Sequence, residues 1–257
     1  MTRITGTLII LLSLSITLFS GCTKSESGLA TSSLAGGGSG GTGTTGSLSR
    51  FTIVGNYLYA VDMTSLNIFD ISSPANTSKV GTVNIGFNIE TIFPYGDKLF
   101  IGSSAAMYVY SLANPAQPAQ LGFAAHFRAC DPVVANDTIA YVTLRSGTPC
   151  TGTLNALLVY KVTNITNPVQ VMQINLTNPW GLGYSGNALY VCDGSKLQVF
   201  NITNGASPVA MPAVTATENF YDVIPYGNLL ICYIEKGVSF YDITNRLSPV
   251  FISKLVN

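Results

Sequence analysis

Apolar positions in this chain come in short runs rich in Val, Ile, Leu, Phe and Tyr, cut by Gly, Asn, Pro and Ser. From Ser47 onward no stretch holds apolar side chains at helical spacing, so the runs predict strands and the breaks predict turns. In one representative stretch the strands are expected at Ile89–Pro94, Lys98–Gly102, Met107–Leu112 and Gln120–Ala125.

The pattern repeats. A turn follows an apolar strand at Val54-Gly55-Asn56-Tyr57, Tyr95-Gly96-Asp97-Lys98, Asn136-Asp137-Thr138-Ile139, Ser185-Gly186-Asn187-Ala188 and Tyr226-Gly227-Asn228-Leu229. Gly55 to Gly96 is 41 residues, and Gly186 to Gly227 is 41 again. A second mark keeps step: Asp70, Ser111, Lys161, Asn201 and Asp242 end later strands at intervals of 41, 50, 40 and 41. The long interval places an insertion at Arg145–Asn155. A fixed period of this size belongs to arrays and propellers, and four strands per period make one blade. The expected fold is all-β: a five-bladed β-propeller of four-stranded blades. The blades run Ser47–Phe87, Asn88–Arg128, Ala129–Asn178, Pro179–Asn219 and Phe220–Asn257. In this division no blade borrows a strand from the other terminus, and the ring is expected to close by side-chain packing between its first and last blades.

The stretches Phe69-Asp70-Ile71-Ser72-Ser73-Pro74 and Tyr241-Asp242-Ile243-Thr244-Asn245, each after a Gly-Asn turn, resemble the LVIVD repeat. The resemblance extends over Ser47 to Asn257, with Ser111, Lys161 and Asn201 standing where that repeat has Asp. It implies an exported bacterial β-propeller and assigns no activity.

The N-terminus has its own pattern. Arg3 precedes a mainly apolar run from Ile4 to Phe19, and Ser20-Gly21-Cys22 follows. That order is a secretory signal peptide, and the small pair before cysteine resembles the lipobox of bacterial lipoproteins. The run is interrupted by Thr and Ser and falls short of the ~20 residues that span a bilayer. Residues 1–21 are therefore expected to be a lipoprotein signal peptide, and Cys22 the lipidated residue. Residues 22–46, dominated by Gly, Ser and Thr, read as a flexible tether, leaving 47–257 as the propeller. The expected address is the bacterial cell envelope, lipid-anchored at the outer membrane, because Thr23 lacks the acidic character tied to inner-membrane retention. The periplasmic and surface-exposed sides both stay open.

Twelve acidic and twelve basic side chains balance, so there is no basic excess to neutralise phosphates, and a nucleic-acid partner is not expected. An exported chain meets an oxidising compartment. Cys130 begins the third blade's first strand and Cys150 lies in the insertion linking its second and third strands. Both belong to the top of that blade, and a disulfide between them is expected. Cys192 and Cys232 fall inside strands and read as small buried hydrophobes.

The chain has one histidine, His126, and no metal-binding spacing, phosphate loop or nucleophile elbow. Neither a metal nor a cofactor is expected. Asp70 and Asp242 read as turn-supporting acids, and Tyr59, Phe100, Tyr141 and Tyr190 as blade core. The scarce charges gather where first strands begin, at the top of the central channel. Five residues before each turn stand Arg50, Thr91, Asp131, Gly181 and Asp222; six before stand Ser49, Glu90, Cys130, Trp180 and Tyr221. Arg50, Glu90, Asp131, Trp180, Tyr221 and Asp222 are the candidate ligand mouth, against the alternative that strand starts are simply wet.

Two functions remain. One is a membrane-anchored, non-catalytic binding module for a protein, glycan or small ligand. The other is a glycan-cleaving enzyme drawing its acid and base from Glu90, Asp131 and Asp222; no catalytic motif marks it, and binding is the preferred reading.

Overall fold

The computed structural model describes residues 46–126, 132–147 and 152–256. Within them lie five four-stranded antiparallel sheets, each built from four consecutive strands, and no helix. Blade one is β1 (Phe51–Val54), β2 (Tyr57–Val61), β3 (Ser65–Asp70) and β4 (Ser78–Asn84). Blade two is β5 (Ile89–Tyr95), β6 (Lys98–Ser103), β7 (Ala106–Ser111) and β8 (Ala119–Ala125). Blade three is β9 (Val133–Ala135), β10 (Ile139–Leu144), β11 (Ala156–Lys161) and β12 (Val169–Asn175). Blade four is β13 (Pro179–Ser185), β14 (Ala188–Asp193), β15 (Lys196–Asn201) and β16 (Val209–Thr215). Blade five is β17 (Phe220–Tyr226), β18 (Leu229–Ile234), β19 (Gly237–Asp242) and β20 (Val250–Val256). The strands expected in blade two are found to within one residue at each end. The insertion at Arg145–Asn155 is the link between β10 and β11, as its spacing required.

Local chemistry explains the turns. Gly55, Gly96, Gly186 and Gly227 lead two-residue hairpin loops with φ of 58°, 56°, 55° and 60°. A positive φ at the first loop position is the type II′ geometry, which glycine adopts without steric cost. Blade three has Asp137 at that place and turns by another route: Asn136 Oδ1 accepts from Thr138 N and Ile139 N, both at 2.9 Å. The second mark of the repeat is also a turn device. Asp70 Oδ1 accepts from Ser72 N at 2.8 Å, and Asp242 Oδ1 from Thr244 N at 2.7 Å. Ser111 and Asn201, which depart from the LVIVD pattern, accept from Ala113 N and Thr203 N at 3.1 and 2.9 Å. Four of the five blades thus place an acceptor there, charged or neutral, while Lys161 of blade three offers none.

The core lies between blades. Four hydrophobic clusters join blades one to two, two to three, three to four and four to five. Tyr59, Tyr141 and Tyr190 are fully buried, as expected, and each phenol also donates to a backbone carbonyl of the next blade: Pro115 O, Gly205 O and Arg246 O at 2.8–2.9 Å. Cys192 and Cys232 are buried in the cluster between blades four and five, with burial holding both thiols neutral.

Closure does not follow the expectation. No hydrophobic cluster among the described residues joins blade five to blade one. Ile92, Val133, Leu182 and Val223 occupy one repeat position, face the preceding blade and are at most 1% exposed; Phe51, their counterpart in blade one, is 59% exposed. On the side facing the following blade, Val61, Thr143 and Cys192 are at most 7% exposed, while Tyr233 of blade five is 55% exposed. Among the described residues the propeller is an arc, and the outer faces of blades one and five are left without a packing partner.

Candidate functional site

The first strands of successive blades lie side by side and line the channel. At its top, three of them break register. The pairing of β5 with β6 slips between Ile89 and Thr91, that of β13 with β14 between Pro179 and Leu182, and that of β17 with β18 between Phe220 and Asp222. The residues set free of the ladder are Glu90, Trp180 with Gly181, and Tyr221. A bulge of this kind re-aims a side chain that regular pleating would send to a blade face. The polar and aromatic column in the sequence is thus a column of bulges.

Around the mouth the side chains form a chain that touches every blade. Arg50, exposed on blade one, donates from Nη2 to Ile89 O at 3.1 Å. Glu90 of blade two is partly desolvated, which pushes its carboxyl up, while Arg145 and then Arg50 pull it back. Arg145, from the start of the blade-three insertion, lies flat over the Trp180 ring with Cζ 3.4 Å from the ring centre. Its guanidinium is lowered by burial and raised by Glu90. Trp180 of blade four meets Tyr221 of blade five edge-on at 4.7 Å between centres, and Tyr221 meets Tyr233 at 5.5 Å. Thr143 Oγ1 donates to Trp180 O at 2.6 Å and fixes the backbone beneath the indole. Trp180 Nε1 is buried with no acceptor among the described residues.

Arg50, Glu90, Trp180 and Tyr221 therefore come together as the sequence suggested. Asp131, Cys130 and Cys150 lie outside the described residues, and with them the expected disulfide. The register adds one correction: Val133 pairs with Val142 as Ile92 pairs with Ile101, so Pro132 rather than Asp131 stands in the column of Arg50 and Asp222. Blade three lacks the turn glycine from which that column was counted.

Asp222 belongs to a different structure. Its Oδ1 accepts from Ser47 Oγ at 3.1 Å and Val223 N at 2.9 Å, and its Oδ2 from Leu48 N at 3.2 Å. Ser47 Oγ in turn accepts from Leu182 N at 2.7 Å, and Ser49 O from Ile92 N at 2.9 Å. The segment before β1 thereby ties blades two, four and five together across the channel. Gly46 and Gly181 make room: a Cβ on either would stand 2.1 Å from a carboxylate oxygen of Asp222. Burial raises the Asp222 carboxyl to about 6 despite the donors around it. Asp222 is a latch on the chain's own N-terminal segment, its carboxylate oxygens engaged by Ser47, Leu48 and Val223. Asp193, also buried, supports the link before β13 by accepting from Thr177 N and Asn178 N.

Two mouth residues were missed by sequence reasoning. Arg145 heads the insertion, and its position on the top of blade three was legible; its charge beside the only tryptophan was the available signal. Tyr233 ends β18 on the same side, six residues after the turn glycine. His126 follows β8 in a link, its N–H bonded to Ala105 O at 3.0 Å. No group of metal-ligating side chains is present among the described residues.

Comparison with known proteins agrees with the architecture. A family model described as the LVIVD repeat matches residues 45–85, the span of blade one. The matched span contains Phe69–Pro74, the stretch that resembles this repeat. A protein from Lactobacillus plantarum is similar in structure with a TM-score of 0.66 at 13% identity, over 80% of this chain and 74% of its own. A periplasmic gluconolactonase of Pseudomonas aeruginosa gives 0.61 at 14% identity, over 79% and 68%. A functionally unknown protein from Desulfotomaculum acetoxidans DSM 771 gives 0.53 at 10%, over 79% and 80%. At such identities the likeness is one of fold. No curated protein matches the sequence.

Proposed function

We propose that this LVIVD-repeat propeller is a binding module, held at the bacterial cell envelope by a lipid on Cys22, that takes a glycan at the top of its channel. The observation that carries the reading is the unbroken series Arg50, Glu90, Arg145, Trp180, Tyr221 and Tyr233 around the mouth. Indole and phenol rings offer rigid apolar faces on which a sugar ring stacks. The guanidinium and carboxylate groups form charge-assisted hydrogen bonds to hydroxyls, stronger than neutral ones. The latch leaves Asp222 out of this role. The chain holds one tryptophan, so Trp180 emission reports directly on the mouth. Titration with a panel of neutral and acidic oligosaccharides should change that emission saturably, and Tyr221→Ala should weaken the response at least tenfold without moving the melting temperature. A panel that leaves the emission untouched would overturn the reading. The anchor has its own test: labelled fatty acid should enter the wild type and not Cys22→Ser.

A second reading draws on the similarity to a gluconolactonase, an enzyme acting on a sugar derivative. In it the mouth would process its ligand, with Glu90 and Asp131 as the acids left once Asp222 is engaged. Turnover of sugar lactones or glycans by the purified chain, abolished by Glu90→Gln, would replace the binding reading with this one.

A further inference from the structure

We propose that the two free faces of the arc form a head-to-tail interface between copies of this chain, the blade-five face of one copy packing on the blade-one face of the next. Both faces consist of repeat positions that make the four internal interfaces. On blade one the exposed positions are Phe51 (59%), where the other blades carry buried Ile92, Val133, Leu182 and Val223, and Ile53 (40%), where they carry buried Pro94 and Ala135 and half-buried Tyr184 and Pro225. On blade five the exposed position is Tyr226 (52%), with Ile231 half-buried where Tyr59, Phe100, Tyr141 and Tyr190 are at most 1% exposed; the mouth residue Tyr233 borders this face. A scattered exposed apolar residue is ordinary on any protein surface. Here they line up on two opposed faces, which is the mark of an interaction site.

The occupant follows from the same repeat. Each internal interface joins a following-type face to a preceding-type face. Blade five presents the first type and blade one the second, so the surface that fits each is the other. The named apolar positions carry no charge; Lys79 stands in the ladder of Ile53 and Asp242 in that of Tyr226, one on each face and opposite in sign. Among the described residues no hydrophobic cluster joins the two faces. A second copy supplies the matching face. Such a contact is heterologous, leaving one free face of each type on every assembly, and it grows by whole copies.

The test uses the full chain and two end-face variants, Phe51→Glu and Tyr226→Glu. Sedimentation over a concentration series should show the wild type rising in mass by whole multiples of one chain. Each variant alone should stay monomeric with an unchanged melting temperature. An equimolar mixture should form a capped dimer, since one variant keeps an intact blade-five face and the other an intact blade-one face. Should either glutamate variant fail to fold, Phe51→Ser and Tyr226→Ser take their place. A wild type that is monomeric at every concentration, a variant that keeps wild-type mass, or a mixture that stays monomeric would overturn the proposal. So would a double variant, Ile53→Cys with Tyr226→Cys, that cross-links within a single chain.

Discussion

Tyr190 and Ile231 stand at the same place in successive blades and live in different surroundings. Tyr190 is fully buried between blades four and five and donates its phenol proton to Arg246 O at 2.8 Å. Ile231 lies on the side of blade five against which no described blade packs, and is half-buried. The same contrast separates Leu182 from Phe51 at the other end. In a repeat protein each unit contacts only the units beside it, so burial is a property of the interface rather than of the residue. The four inner interfaces hold the arc together, and the two end faces are spare.

The largest effect that would break this contrast comes from the aromatic column. Tyr190→Ala should lower the unfolding free energy by about 3–5 kcal/mol, the usual range for a buried aromatic truncated to alanine. Ile231→Ala, measured at low protein concentration, should lose less than about 1 kcal/mol, as exposed sites do. Denaturant unfolding with an unchanged slope is the measurement; equal losses would mean that blade five is packed on both sides.

The latch sharpens the comparison next, since it ties the segment before blade one to blades four and five where packing does not. The Asp222 carboxyl, raised to about 6, stands above its ordinary value of about 4. Between those values the folded chain holds a proton that the unfolded chain releases. The stability this group contributes is present in full below about pH 4 and is lost as the pH rises through about 6. Asp222→Asn should abolish that slope, gaining about 2–3 kcal/mol on the wild type between pH 4 and pH 7. Parallel curves for the two proteins would show that the carboxylate is better solvated than its burial indicates.

A smaller effect separates the interfaces among themselves. Tyr59→Phe removes the hydrogen bond to Pro115 O and should cost about 1 kcal/mol. Phe100, in the same column with no hydroxyl, marks the interface that already does without it. The smallest effect is at the turn acids. Asp242→Asn should leave the melting temperature unchanged, because Asn201 makes the same turn bond in blade four. A clear drop would mean that the charge, and not the acceptor, matters there.

Much of the architecture was legible because it repeats. The period of 41 places every strand, and the Gly-Asn turns fix register through a backbone requirement local to two residues. The mouth was legible in part. Glu90, Trp180 and Tyr221 share a column, yet that they leave the ladder there is a matter of strand pairing, which no single strand encodes. Asp222 shares the look of a ligand acid with Glu90; only the approach of Gly46, Ser47 and Leu48 assigns it to the latch. Arg145 shows the converse, a residue in an irregular insertion with no repeat partner to draw attention to it.

By itself the sequence determined the number of blades, their order and the position of the insertion, because strand periodicity and turn chemistry act over a few residues and recur at fixed distance. The tertiary structure decided what depends on contacts between distant segments: which strand starts bulge toward the channel, which acid is held by the chain's own N-terminal segment, and that five blades make four interfaces. The curvature of the arc is the sum of the angles at which sheets pack. Those angles arise from the joint shape of two faces, a quantity that neither face carries alone.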